Sequence, residues 1–128
     1  MSKLRLTLTA PILAALAFAG TAQAHPKLVS SSPAANTMVA KPGRLVLTFN
    51  ERVVANFTGA TLSMTSMPGM ANHQPMAVTG FTSAMSADGK TLTLTLRRAL
   101  SPGTYQLSWH AAGADTHRMT GTLSFTVR

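Results

Sequence analysis

The sequence predicts an all-β protein, a Greek-key β-sandwich of about seven strands. Two observations lead to this prediction. Apolar residues alternate with polar ones in several separate segments, which is the pattern of a strand with one buried face. Turn signals separate these segments, and no stretch has a sustained helical period. Many short alternating strands joined by turns are typical of β-sandwiches.

Six segments carry the pattern clearly enough to be assigned in order. Asp88-Gly89 favours a hairpin turn before the fourth of them. Proline–glycine pairs at positions 42–43 and 102–103 precede the first and the fifth. The predicted strands are Leu45–Phe49, Ala60–Thr65, Met76–Phe81, Thr91–Leu96, Thr104–Trp109 and Leu123–Val127.

The first 24 residues have the pattern of a signal peptide. Lys3 and Arg5 precede an apolar run, and Ala22-Gln23-Ala24 provides the small residues of a cleavage site. The apolar run is too short for a membrane span of about 20 residues, although an uncleaved anchor remains the alternative. We therefore expect residues 1–24 to be removed and residues 25–128 to form a single exported domain that does not span a membrane.

Composition restricts the classes of function. The chain has no cysteine, so its stability must come from a packed core, and no thiol competes for soft metals. Without Lys3 and Arg5, 11 − 2 = 9 basic residues face 3 acidic ones, a net charge of +6. The bases are scattered along the sequence and only 5% of residues are aromatic, so we predict no nucleic-acid partner. A weak attraction to anionic membrane surfaces or acidic partner loops stays open.

The segment Met64–Met76 contains half of the chain's 8 methionines and a histidine. Thioether sulfurs are soft, neutral ligands that suit Cu(I). One alternative is a helical core stripe, but the proline–glycine pair at 68–69 interrupts a helix. Another is an adaptable surface that binds a protein partner. The candidate Cu(I) ligands are Met64, Met67, Met70, His73 and Met76.

A second candidate metal site depends on cleavage after Ala24. His25 would then be the N-terminal residue, with an α-amine and an imidazole that can chelate one ion. Pro26 has no backbone N–H, so further ligands must come from elsewhere in the fold. Asp115 and His117 lie two residues apart and would share one face of an extended chain. Together these nitrogen and oxygen donors suit tetragonal Cu(II). An Asp-x-His pair alone is more often a surface hydrogen bond.

The remaining residues contain no recognisable catalytic set. We find no Gly-x-Ser-x-Gly motif, no phosphate-binding glycine loop and no acidic pair suited to acid–base catalysis. His110 is expected to be solvated or hydrogen-bonded, and Met38, Met85 and Met119 are expected to pack.

The whole region after residue 24 resembles the CopC-type periplasmic copper-resistance proteins. The resemblance rests on His25-Pro26-Lys27-Leu28, Ser32-Pro33-Ala34, Leu47-Thr48-Phe49-Asn50-Glu51, Met67-Pro68-Gly69-Met70, Ser101-Pro102-Gly103-Thr104-Tyr105 and Asp115-Thr116-His117. It implies a cupredoxin-like or immunoglobulin-like Greek-key β-sandwich in the periplasm. It also implies a protein that carries or buffers copper, beside a CopD-type inner-membrane protein or other periplasmic copper proteins.

The same resemblance implies two copper sites. By this resemblance, the Cu(II) ligands correspond to His25, Asp115 and His117. The Cu(I) ligands correspond to Met64, Met67, Met70, His73 and Met76. Two departures from the family pattern are the extra spacing at Ala71-Asn72 and Arg118 in place of a common proline.

We predict no enzyme activity. The alternatives are a copper-dependent oxidase or monooxygenase that uses the N-terminal histidine, and an interaction domain that binds no metal.

Overall fold

The computed structural model describes residues 25–70 and 73–128. The predicted signal peptide, residues 1–24, lies outside the described residues, as do Ala71 and Asn72 of the methionine-rich segment. The described chain forms two β-sheets around one core, so the prediction of an all-β sandwich is confirmed. Its helical structure is one short 3-10 turn, Ala55–Phe57. Within these residues, no helix has the length and hydrophobicity needed to cross a membrane.

Nine strands make up the two sheets. In chain order they are β1 (Leu28–Ser32), β2 (Met38–Val39), β3 (Arg44–Phe49), β4 (Gly59–Ser66), β5 (Met76–Val78), β6 (Phe81–Met85), β7 (Thr91–Leu96), β8 (Gly103–Ala112) and β9 (Arg118–Val127). One sheet has the order β1-β3-β7-β6 and the other β2-β9-β8-β4-β5. All pairings are antiparallel except that of β2 with β9. The chain therefore crosses between the sheets several times, as a sandwich requires.

The core consists of the alternating apolar residues that the sequence marked. Leu45, Leu47 and Phe49 of β3 are almost completely buried, and their neighbours along the strand are less so. The rings of Tyr105 and Phe125 stack with centroids 5.7 Å apart. The Tyr105 hydroxyl donates a hydrogen bond to the Ser101 carbonyl at 2.7 Å, so the buried ring leaves no polar group unpaired. Burial of these side chains is the main source of stability in a chain without disulfides.

The predicted strand Met76–Phe81 is wrong in its extent. The chain there forms two strands, because β5 pairs with β4 in one sheet and β6 pairs with β7 in the other. Gly80 lies at the crossing, where its carbonyl accepts a hydrogen bond from the Arg97 N–H at 2.8 Å. Among the isolated methionines, Met85 and Met119 are partly buried, but Met38 is exposed, contrary to the prediction.

The sandwich has two ends, which we name by the residues found there. At the histidine end, β8 finishes at Ala112 and β9 begins at Arg118. At the methionine end, β4 finishes at Ser66 and β8 begins at Gly103, beside Met67. The 10 residues of β8 separate the two ends by about 30 Å at the usual rise of a strand.

Candidate metal centre

Three of the predicted ligands come together at the histidine end. His25, Asp115 and His117 each offer a donor atom within 4.8 Å of the other two. The Nδ1–H group of His117 donates a hydrogen bond to Asp115 Oδ2 at 2.9 Å, and His25 Nδ1 lies 4.0 Å from the same oxygen. The two imidazole rings have centroids 5.7 Å apart and are tilted by 60°. Residues 90 positions apart in the sequence therefore form one compact cluster of nitrogen and oxygen donors.

His25 is held in place by the chain that follows it. Pro26 is almost fully buried. The Lys27 N–H donates to the Asn50 side-chain oxygen at 2.8 Å, and the Asn50 N–H donates to the Lys27 carbonyl at 3.0 Å. These two bonds attach the start of the domain to the chain just after β3, so His25 has a defined position in the described structure.

Asp115 and His117 lie in the tight turn between β8 and β9, not on an extended chain as the sequence argument assumed. The Thr116 N–H bonds to the Gly113 carbonyl at 3.0 Å, and Thr116 has a φ of 63°, in the left-handed region. The His117 N–H donates to Asp115 Oδ1 at 3.2 Å, a local contact that aspartate favours in turns. The turn brings the two side chains together, and the spacing of an extended strand plays no part.

The electrostatics of the cluster favour an ionised carboxylate. The hydrogen bond from the His117 side chain lowers the pKa of Asp115 most. The backbone N–H of His117 and the positive charges of His117 and His25 lower it further. The Nδ1 atom of His25 is shielded from solvent and has no hydrogen-bond partner within the described residues. A buried nitrogen without a partner fits a metal ligand, because an ion would satisfy it.

Glu51 lies next to this cluster and was not among the predicted ligands. A Cβ atom built on Gly113 would lie 3.0 Å from Glu51 Oε1 and 3.7 Å from Asp115 Oδ1. It would also lie 3.5 Å from Pro26 Cδ. The missing side chain of Gly113 therefore allows two carboxylates to approach the same place. The sequence contained one indication that Glu51 could lie near a metal ion, because it is one of only 3 acidic residues.

The methionine-rich segment lies at the other end of the sandwich and is not helical. Met64 on β4 is paired in register with Met76 on β5. Met67 and Met70 exchange two backbone hydrogen bonds, of 3.3 and 3.0 Å, around Pro68 and Gly69. Gly69 has a φ of 78°, and proline followed by such a glycine is typical of a type II turn. The helical core stripe considered from the spacing is therefore wrong.

The four methionines differ in burial. Met64 is 7% exposed and belongs to the core, and Met67 packs against it. Met70 and Met76 are 55% and 47% exposed. Met64 and Met76 both line an open cavity of about 620 Å³, so the core methionine also borders a cavity that is open to the surface. The structure thus places the thioethers at one end of the molecule, and their assembly around one ion stays a prediction.

His73 has a defined tautomer in this segment. Its Nδ1 lies 2.7 Å from the Gln74 carbonyl oxygen, which can only accept, so Nδ1 carries the proton. In the neutral imidazole, the Nε2 atom then carries the lone pair. That atom is shielded from solvent and has no hydrogen-bond partner among the described residues. This arrangement, with Nδ1–H bonded to a backbone carbonyl, is common in metal-binding histidines.

A sequence profile described as the CopC domain matches residues 28–128. The chain belongs to the CopC family. The match covers all nine strands and the turn that holds Asp115 and His117.

Relatives of this CopC-family chain are similar over most of their length. It is 48% identical to copper resistance protein C of Pseudomonas syringae pv. tomato, over 84% of this chain and 83% of that one. It is 42% identical to copper resistance protein C of Escherichia coli, over 94% of each chain. A crystal structure of PcoC, a methionine-rich copper resistance protein from Escherichia coli, superposes with a TM-score of 0.74. That comparison covers 82% of this chain and 100% of the other, at 42% identity.

His110 of this CopC-family chain stays apart from both groups of predicted ligands. It lies on β8, paired with Thr120, and its ring covers Gly59. Burial lowers the pKa of His110, and the positive charge of Arg118 lowers it further. His110 is therefore a partly buried, neutral histidine at neutral pH that packs against Gly59, where a solvated or hydrogen-bonded histidine was expected.

Proposed function

We propose that this protein binds copper in the periplasm and carries or buffers it for copper resistance. The observation that carries the proposal is the cluster of His25, Asp115 and His117, in a chain that belongs to the CopC family. Removal of residues 1–24 would place His25 at the N-terminus of the exported protein. Copper is the cargo of such a protein, and we propose no catalytic step for it.

The histidine end is the proposed Cu(II) site. His25, Asp115 and His117 supply two imidazoles and a carboxylate, and cleavage after Ala24 adds an α-amine. These are the nitrogen and oxygen donors that Cu(II) prefers. The ionised Asp115 offsets part of the charge of a divalent ion. Glu51 adds a second negative charge nearby, which supports a divalent cation over a monovalent one.

The methionine end is the proposed Cu(I) site. Its ligands are drawn from Met64, Met67, Met70, His73 and Met76. The thioethers are neutral and soft, and the lone pair on His73 Nε2 has no other partner in the described structure. None of the three acidic side chains lies at this end, so the donor set suits a monovalent soft ion. The proposed partners are a CopD-type inner-membrane protein or other periplasmic copper proteins.

The test for the Cu(II) site compares two forms of the exported protein. One begins at His25, as checked by mass, and the other carries one extra glycine before it. We expect the extension to lower Cu(II) affinity at least tenfold, because the α-amine becomes an amide and is lost as a ligand. Cu(I) affinity, measured by competition with a chromogenic chelator, should be the same in both forms. Equal Cu(II) affinity in the two forms would contradict the amine as ligand.

Two further measurements distinguish copper binding from an interaction domain without metal and from a copper-dependent oxidase. Copper should be bound stoichiometrically after dialysis, which an interaction domain that ignores metals would not do. With a chemical reductant present, the copper-loaded protein should consume oxygen no faster than the same concentration of a copper–peptide chelate. Faster consumption that depends on an added substrate would favour an oxidase.

A further inference from the structure

The basic residues, scattered in the sequence, are gathered by the fold. Residues 25–128 contain nine lysines and arginines. Five of them lie at the methionine end, and all five are exposed. They are Lys41, Arg44, Arg97, Arg98 and Arg128. Within residues 25–70 and 73–128, none of these five forms an ion pair, so their charges are free to attract an external anion.

Backbone contacts place these five residues together. Arg44 begins β3 and lies opposite Thr95, and the next residue of β7, Leu96, donates to the Gly43 carbonyl at 3.0 Å. Arg97 and Arg98 directly follow and line the cavity that Met64 and Met76 border. At the neighbouring edge, the Arg128 N–H bonds to the Val39 carbonyl at 3.0 Å, two residues before Lys41. The bases thus lie at the methionine end of both sheets.

The acidic residues are all at the opposite end. Asp115 lies in the turn after β8, and Glu51 approaches it over Gly113. Asp88 lies in the turn before β7, where the Val53 N–H bonds to the Gly89 carbonyl at 2.9 Å. These are the 3 carboxylate side chains of the whole chain. The methionine end therefore has five positive side chains and no negative one, while the histidine end is close to neutral.

Exposed apolar side chains share the basic end. The described residues include five large apolar side chains that are exposed: Val29, Met38, Phe57, Met70 and Met76. Met70 and Met76 lie at the methionine end, and Met38 lies on β2, next to Val39. Flexible apolar side chains surrounded by lysine and arginine are the composition of a surface that rests in a lipid headgroup layer.

We propose that the methionine end docks onto an anionic phospholipid surface. The bases come from separate turns and strand ends of both sheets, so their charge is spread over this end, which matches the distributed charge of a lipid surface better than the local charge of one acidic protein loop. The exposed Met70 and Met76, at the same end, reach the headgroup layer. The histidine end, about 30 Å away along β8, then faces the aqueous phase. This inference does not depend on copper binding.

The test uses metal-free exported protein that has lost residues 1–24, as checked by mass, and sedimentation with lipid vesicles. We expect binding to vesicles containing phosphatidylglycerol and none to pure phosphatidylcholine. The variant R97Q/R98Q should bind about 30-fold more weakly, at roughly the usual contribution of two basic residues near an anionic membrane. Both arginines are exposed, so the variant should fold, which its circular dichroism and melting temperature check.

The matched control is R52Q/K90Q, which removes the same charge from exposed residues at the histidine end. At physiological salt, charges more than about 8 Å from the membrane are largely screened, so this variant should lose less than about threefold. Equal losses in both variants would mean that net charge alone drives binding and would overturn the proposed orientation. Absence of binding to anionic vesicles, with binding to an acidic peptide such as polyglutamate, would overturn the proposal in favour of a protein partner.

Discussion

The two ends of this sandwich handle charge in opposite ways. At the histidine end, a tight turn and two backbone hydrogen bonds hold charged and hydrogen-bonding groups in contact, and the local acids balance the bases. At the methionine end, the candidate donors are neutral, two of them are half exposed, and the charged side chains at that end are all positive. One β-sandwich can therefore offer a hard site and a soft site, because about 30 Å of β8 keeps their electrostatic environments apart.

The two ends also differ in how far their candidate ligands are already assembled. His25, Asp115 and His117 already hold donor atoms within 4.8 Å of one another. The methionines are spread over a strand, a turn and a second strand, and Met64 is largely enclosed by the core. An ion that bound at the histidine end would meet a group that is nearly assembled, whereas one that bound at the methionine end would have to draw flexible side chains together. Methionine suits that task because its side chain is unbranched and adaptable.

The largest effect should come from Asp115→Asn. This change removes the negative charge and one of the two oxygens that accept hydrogen bonds from His117, so Cu(II) affinity should fall at least about 100-fold, the upper range for perturbing a metal site. Cu(I) affinity should be unchanged. Isothermal titration with a competing chelator measures both values.

The matched control for that change is Asp88→Asn, which removes one carboxylate from another turn at the same end. It should alter Cu(II) affinity less than about threefold, because its charge is exposed and screened. If D88N and D115N weakened Cu(II) binding equally, general charge would explain the effect, and direct ligation by Asp115 would be ruled out.

A smaller effect is expected from the double change M70S/M76S. Both side chains are about half exposed, so the fold should be retained while two thioethers are lost. Cu(I) affinity should drop by roughly tenfold or more, in the range for disturbing part of a metal site, with Cu(II) affinity intact. Met38→Ser, at another exposed methionine, is the control and should leave both affinities unchanged. Unchanged Cu(I) binding in the double variant would exclude these two sulfurs as ligands.

The smallest expected effect is on the stability of the metal-free protein, which should depend on pH. The pKa of Asp115 is lower in the folded state than in an unfolded chain, so its ionised form stabilises the fold. That contribution is fully present above the unfolded value of about 3.9 and is lost as pH falls through the lower folded value. Melting temperatures of the wild type and D115N should therefore differ at neutral pH and converge in strong acid. A gap that stays constant down to the acid limit would contradict this account.

The strands were the most predictable feature. Leu45–Phe49 and Thr91–Leu96 were found almost as predicted, because a strand with one buried face leaves a period of two in the sequence. β1 escaped prediction because it is an edge strand rich in serine and mostly exposed, so it shows little alternation. The division of Met76–Phe81 was missed because both halves have strand-like residues, and only the pairing partners assign them to different sheets.

The candidate metal sites, like the strands, were predictable only in part. Donor chemistry identified the residues, since thioethers, imidazoles and carboxylates have preferences that do not depend on the fold. The way in which these residues come together does not follow from donor chemistry. Asp115 and His117 meet through a turn with a left-handed Thr116, and Glu51 joins them because Gly113 leaves space. The approach of His25 and Glu51 to this turn depends on the packing of segments that lie far apart in the chain.

The sequence by itself determined the class of fold, the absence of thiols and the types of donor atom, because these follow from local periodicity and side-chain chemistry. The tertiary structure decided where those donors lie. It separated the two predicted sites to opposite ends and gathered five scattered bases around one of them, because antiparallel strands bring distant turns to a common end. The charge of a surface is set by this topology, which no local pattern in the sequence records.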